Sequence, residues 1–184
     1  MLRPEELEDA ELARWLQREA MFGSAATFDR SAPTQIERRG PKLVLTQPDA
    51  ALRVDEDGTI DIEQPLWDAA ERLGLRAVIH EEVAERLDRA FKLGTTVLEH
   101  VDPLHRLTDL VPVVALTGAA YGAWRSRAEQ ARNPQQMEMN MRGDERVQVA
   151  LPAPRLQRGA LADQASQLAR DLTILLRRAT TGAA

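Results

Sequence analysis

The chain has 184 residues, 43% hydrophobic and 29% charged, with a formal net charge of -5. That balance suits one globular domain spanning 1–184, with enough chain for a sizeable core, and it excludes a disordered chain. There is no cysteine, so disulfides, thiolate zinc sites and cysteine nucleophiles are excluded. The start, Met1-Leu2-Arg3-Pro4-Glu5-Glu6, has no apolar run behind a basic residue, so no secretory signal is expected. Heavy use of Ala, and of Arg over Lys, suggests a GC-rich bacterial source, and the lack of cysteine fits the reducing compartment of a cytoplasmic protein.

A first helix is expected from Pro4 to Phe22. Acidic residues fill its first turn, and Leu12, Trp15, Leu16 and Ala20 form its apolar stripe. Gly23 ends it. Residues 24–40 lack periodicity and read as a long connector or arm. Lys42 to Thr46 is a short strand. Ala51 to Ile62 reads as a β-hairpin: if Asp55 pairs with Thr59, then Val54 faces Ile60 and Leu52 faces Ile62, all on one face. The loop Glu56-Asp57-Gly58 then puts glycine where a left-handed residue is needed.

Pro65 to Leu73 suits a short helix and Arg76 to Ile79 a short strand. A helix from His80 to Leu93 is expected to stop at Gly94, with Thr96-Val97-Leu98-Glu99 capping the next. The main helix is expected from Thr108 or Asp109 to Arg132, apolar or small almost all round from Leu110 to Trp124. A second hairpin pairs Met137, Met139 and Met141 with Leu151, Val149 and Val147. The last helix, Ala160 to Arg178, places Leu161, Ala165, Leu168, Leu172 and Leu175 at heptad spacing, and 179–184 is a frayed tail. The fold class expected is α+β: a small antiparallel sheet of two β-hairpins packed with several helices, mainly helical.

Familiar catalytic motifs are absent. No serine sits in a Gly-x-Ser-x-Gly turn, and there is no phosphate-binding glycine loop. His100, Asp102 and His105 bring nitrogen and oxygen ligands close together and form the candidate metal site. Asp55-Glu56-Asp57-Gly58 with Asp61 and Glu63 faintly resembles a calcium loop, but the hairpin uses the same residues better. No cofactor is expected.

Residues 1–121 carry 14 Lys+Arg against 23 Asp+Glu, while residues 122–184 carry 10 against 6. Either the two parts attract each other, within the fold or between subunits, or the basic part meets an anionic partner. The second case makes Arg125, Arg127 and Arg132 a candidate basic patch for nucleic acid, although no aromatic residue follows Trp124 to stack on bases. Leu110 to Trp124 as a helix would span roughly 22 Å, short of a bilayer core of about 30 Å, so membrane insertion ranks below a buried helix. The methionine stripe Met137, Met139 and Met141 and the leucines Leu161, Leu168, Leu172 and Leu175 are the candidate partner-binding residues. The functional expectation is a non-catalytic interaction or homo-oligomerisation module. A nucleic-acid-associated regulator and a membrane-acting protein are the alternatives.

Overall fold

The computed structural model describes residues 10–66, 77–118, 123–133 and 146–181. The protein is α+β, with more helix than strand. The chain divides into two compact units. The first takes its described residues from Met1–Pro65, Arg89–Thr108 and Leu161–Asp163, and the second from Leu66–Asp88, Asp109–Ala160 and Gln164–Ala184.

In the first unit, helix α1 (Ala10–Phe22) is followed by a four-stranded antiparallel meander: β1 (Gln35–Arg39), β2 (Lys42–Gln47), β3 (Ala50–Asp55) and β4 (Ile60–Glu63). The expected hairpin is present in the expected register: Val54 faces Ile60 and Leu52 faces Ile62. Asp55 N donates to Thr59 O at 2.9 Å, and Gly58 adopts φ +94°. A side chain at Gly58 would be strained and would also strike Leu107, since an added Cβ would lie 2.4 Å from its Cδ1. Leu43, Leu45, Leu52 and Val54 are buried with Leu12, Leu16 and Ala20 of α1 and with Leu93, Val97 and Val101.

Those last three residues belong to helix α2 (His80–Val101), which runs unbroken through Gly94 where two helices were expected. The threonines explain the continuity. Instead of capping a new helix, the Oγ1 atoms of Thr95 and Thr96 donate to Phe91 O and Lys92 O of the preceding turn, at 2.9 and 3.0 Å. Glycine inside a helix is disfavoured by only about 1 kcal/mol, which apolar burial by its neighbours Leu93 and Val97 offsets.

The stretch 24–40 is not all connector. Its end forms β1, whose Ile36 packs against the core while Glu37 and Arg39 lie on the other side. Only one apolar residue in five makes the strand invisible to a periodicity search. The loop before it is fastened by Gln47 of β2. Its Oε1 accepts from Asp29 N at 3.0 Å, and its Nε2 donates to Asp29 O at 2.7 Å and Thr34 Oγ1 at 2.9 Å.

The second unit corrects the largest expectation. Residues 109–132 do not form one helix. They form β6 (Asp109–Leu110), β7 (Val113–Thr117), β8 (Trp124–Arg125) and α3 (Arg127–Arg132). Val113, Val114 and Thr117 are β-branched and favour extended backbone, Pro112 precedes them, and Gly118 at φ +70° turns the chain away. Short β5 (Val78–Ile79) pairs with β8 in parallel. Strand β9 (Arg146–Ala150) matches the expected second strand of the methionine hairpin, but its described partner is β7, antiparallel. Met137, Met139 and Met141 lie outside the described residues, as do most of the expected helix 65–73 and residues 4–9 of the first helix.

After β10 (Leu156–Gln157), which pairs with β6, the last helix is two: α4 (Arg158–Asp163) and α5 (Ala165–Thr181), separated at Gln164. The buried positions of α5 are Ala165, Leu168, Ala169, Leu172, Thr173, Leu176 and Thr180. Leu175 is only half-buried. That stripe follows the 3.6-residue period of a globular helix face and not the 3.5-residue heptad seam. It packs against β7 and β9, whose inward pairs are Val114 with Val149 and Leu116 with Val147.

Gln47→Ala removes one acceptor and one amide donor that serve the loop before β1. We expect it to lower unfolding free energy by about 1–2 kcal/mol in urea denaturation, with the m-value unchanged.

Candidate functional site

One group of titratable side chains flagged by the sequence lies where α2 ends. Val101 is the last helical residue, and Pro103 is placed where a helix cannot readily continue. Asp102 is wholly buried. Its Oδ1 accepts from Arg106 N at 3.1 Å and from Arg106 Nε at 3.0 Å, and its Oδ2 accepts from Leu107 N at 2.9 Å. One carboxylate therefore closes the turn 102–107. His105 N donates to Asp102 O at 3.0 Å, and His105 sits at φ +52°, a strained value for a residue with a side chain. The loop leaves Leu104 at 72% exposure.

The histidines on either side are held separately. The His100 ring stacks on Trp15 of α1, with centroids 3.8 Å apart and planes 6° from parallel. Burial, and secondarily the nearby Arg18 charge, hold the His100 pKa below its ordinary value. His105 Nε2 lies 3.2 Å from Glu99 Oε2. His100, Asp102 and His105 are neighbours in sequence but do not converge. Both Asp102 oxygens accept protein N–H groups, and His100 turns a ring face to an indole. Among the described residues no group of three or more His, Asp or Glu side chains is arranged to hold a metal ion. The three candidate metal-ligating residues thus serve a loop clamp, a stacked pair and a contact with Glu99.

The calcium-like carboxylates are similarly engaged. Arg53 bridges Asp61 and Glu63 at 2.7 and 2.8 Å, Arg38 meets Glu56 at 2.8 Å, and Lys42 meets Asp55 at 3.0 Å. Asp57 accepts from Thr59 N at 2.7 Å, and this bond holds its carboxyl below the usual range.

The candidate basic patch does not form one exposed face. Arg125 is buried, its Nη1 donating to Gln130 Oε1 and Asn133 O, both at 3.2 Å. Arg127 donates from Nη2 to Glu85 at 3.0 Å and from its backbone N to Glu81 Oε2 at 3.0 Å. Arg132 is exposed. These contacts lie within the second unit, whose sequence carries 13 Lys+Arg against 12 Asp+Glu. The basic end of the chain is thus nearly neutralised by the acidic first turns of α2. Ser126 and Glu129 form a reciprocal capping box that starts α3, a Ser-x-x-Glu signal that the sequence carried inside the expected long helix.

The candidate partner-binding leucines Leu161, Leu168 and Leu172 are buried, and Leu175 is half-buried. Exposed large apolar side chains occur elsewhere, at Phe22, Leu104, Val111, Val113 and Ile174. The apolar run from Leu110 to Trp124 begins as strand and is not a spanning helix. No helix among the described residues is long and apolar enough to cross a membrane.

Asp102→Ala removes the acceptor for two backbone N–H groups and a guanidinium, and we expect a loss of about 3 kcal/mol or more in chemical denaturation. Asp102→Asn keeps one carbonyl acceptor and is expected to lose less. Because folding depresses the His100 pKa, its contribution to stability is full above the unfolded value near 6.5 and falls as pH drops below it toward the folded pKa. His100→Gln is expected to flatten that part of the profile between pH 7 and 5, measured as the difference from wild type. An NMR midpoint for His100 at or above 6.5 would contradict this. No family model, curated protein or solved structure matches the chain.

Proposed function

We propose that the protein is a non-catalytic module that acts by self-association. The observation that carries this reading is how the two kinds of group are used. The side chains that could do chemistry, among them Asp102, His105 and the hairpin carboxylates, are engaged in internal bonds that hold loops and turns. Catalysis instead needs titratable groups converging on a space that a substrate can enter. Contact surface, in contrast, is available. The ribbon of β7 and β9 turns Val113, Ala115, Thr117, Arg146, Gln148 and Ala150 outward, all exposed, with one charge among the six.

A nucleic-acid role receives less support, because of the three arginines that suggested it Arg125 is buried and Arg127 is paired with carboxylates of its own unit, which leaves Arg132 exposed. Phosphate binding needs several cations free to meet one backbone.

Sedimentation velocity at rising concentration tests the proposal. A mass above 20.5 kDa, the value for one chain, is expected, with little dependence on salt because the exposed ribbon is mostly uncharged. A single 20.5 kDa species throughout would overturn it.

A further inference from the structure

We infer that the exposed face of helix α1 binds single-stranded nucleic acid, with guanidinium groups meeting phosphates and two exposed rings, His100 and Phe22, stacking on bases. This is a second activity, independent of the self-association proposed above. Arg14, Arg18 and Phe22 recur every four residues on α1, and all three are exposed. That spacing places them on one side of the helix, about 6 Å apart along its axis. Arg30, also exposed, is laid over the Phe22 ring with Cζ 5.4 Å from the ring centroid, and its Nε donates to Met21 O at 3.2 Å. Arg14 Nε donates to Ala10 O at 3.1 Å. Among the described residues none of these three guanidiniums is paired with a carboxylate, whereas Arg38, Arg53, Arg106 and Arg127 all are. Guanidiniums not engaged by carboxylates are available to phosphates.

Rings alternate with these cations. Trp15 lies three residues before Arg18, and the His100 ring covers one face of its indole, with centroids 3.8 Å apart. His100 is exposed, so its outer face is open to continue the stack with a base. Phe22, at 58% exposure, is the second ring. Burial holds the His100 pKa below its ordinary value, so at about pH 7.5 the imidazole is a neutral ring and the cations that count are the three arginines. Cations interleaved with rings are what a single strand requires, because its bases are free to stack and every base has a π-face. In a duplex the bases are already stacked on one another. A bilayer fits less well, since Leu12, Leu16 and Ala20 of α1 are buried in the core of their own unit. An acidic peptide would pair with the arginines and leave the rings unused. Carboxylates near the face limit affinity. Glu19 folds toward Gly23, Asp29 accepts from Ser31 and Glu99 meets His105, yet the sequence of the first unit carries 11 Lys+Arg against 17 Asp+Glu. Binding is therefore weak and local.

Fluorescence anisotropy of a labelled oligothymidylate, titrated with the full chain, tests this. At about 50 mM salt the expected Kd is on the order of 10–100 µM, and log K is expected to fall against log salt with a slope of about -2, as three phosphate contacts require. A duplex of the same length is expected to bind less tightly. Arg14→Gln, Arg18→Gln and Arg30→Gln are each expected to flatten the slope by about 0.7. Phe22→Leu and His100→Ala each remove a ring and no charge, so they are expected to weaken binding about fivefold or more with the slope unchanged. These side chains are exposed, and the circular dichroism spectra of the variants are expected to match wild type. Arg132→Gln, which changes the exposed arginine of α3, is expected to bind as wild type does. Four results would each overturn the inference: no binding up to about 1 mM protein, a polyglutamate peptide or phosphatidylglycerol vesicles bound as tightly as the oligothymidylate, ring variants that bind as wild type, or an equal loss with Arg132→Gln. None of these bears on the mass measured by sedimentation without nucleic acid, so self-association stands or falls separately.

Discussion

The first unit depends on one buried carboxylate. Asp102 sits at the end of α2 with no exposed surface. An ion in that position is strongly destabilising unless its hydrogen-bonding capacity is met. The sequence meets it locally: Arg106 supplies a guanidinium and a backbone N–H, and Leu107 supplies another backbone N–H. Satisfying the charge therefore fixes the path of the next five residues. It holds His105 in left-handed backbone, projects Leu104 outward, and brings Leu107 against the hairpin at Gly58. The glycine thus serves two demands: the turn needs its φ of +94°, and Leu107 needs the space a Cβ would fill. A polar interaction at a helix end and an apolar contact at a hairpin turn are one constraint.

This clarifies why the first unit was largely legible and the second was not. In β3 and β4 the apolar alternation, the turn glycine and the register all came from twelve consecutive residues and agreed with one another. Such agreement across levels is what makes a segment specify its own structure. β1 gave little signal because Ile36 is its one apolar residue, and its place is set by pairing with β2 and by the Gln47 fastening. Both are long-range. Around Val113 the signals conflicted. An apolar run without period suits a buried helix or a buried strand, and its length favoured a helix. The deciding features were smaller: adjacent β-branched residues, Pro112 before them, Gly118 after them, and a Ser126-x-x-Glu129 capping box that restarts helix.

The candidate chemistry was misleading for a related reason. Sequence proximity of His100, Asp102 and His105 says that ligand types are available, not that their lone pairs converge. At a helix end, consecutive residues fan out. One histidine meets an indole, the next meets a glutamate, and the aspartate turns inward. The charge asymmetry was similarly a feature of linear order. Folding divides the chain so that α2 contributes Glu81 and Glu85 to the unit that holds Arg127, and the basic excess nearly vanishes there.

Once those charges are accounted for inside each unit, what distinguishes surfaces is where charge is missing. The meander exposes two edges and gives both alternating or paired ions, which must be desolvated before another strand can add. The β7–β9 ribbon packs against α5 and has an edge with no ion to desolvate. Among the described residues, the edge of β7 is therefore cheaper to desolvate than either edge of the meander.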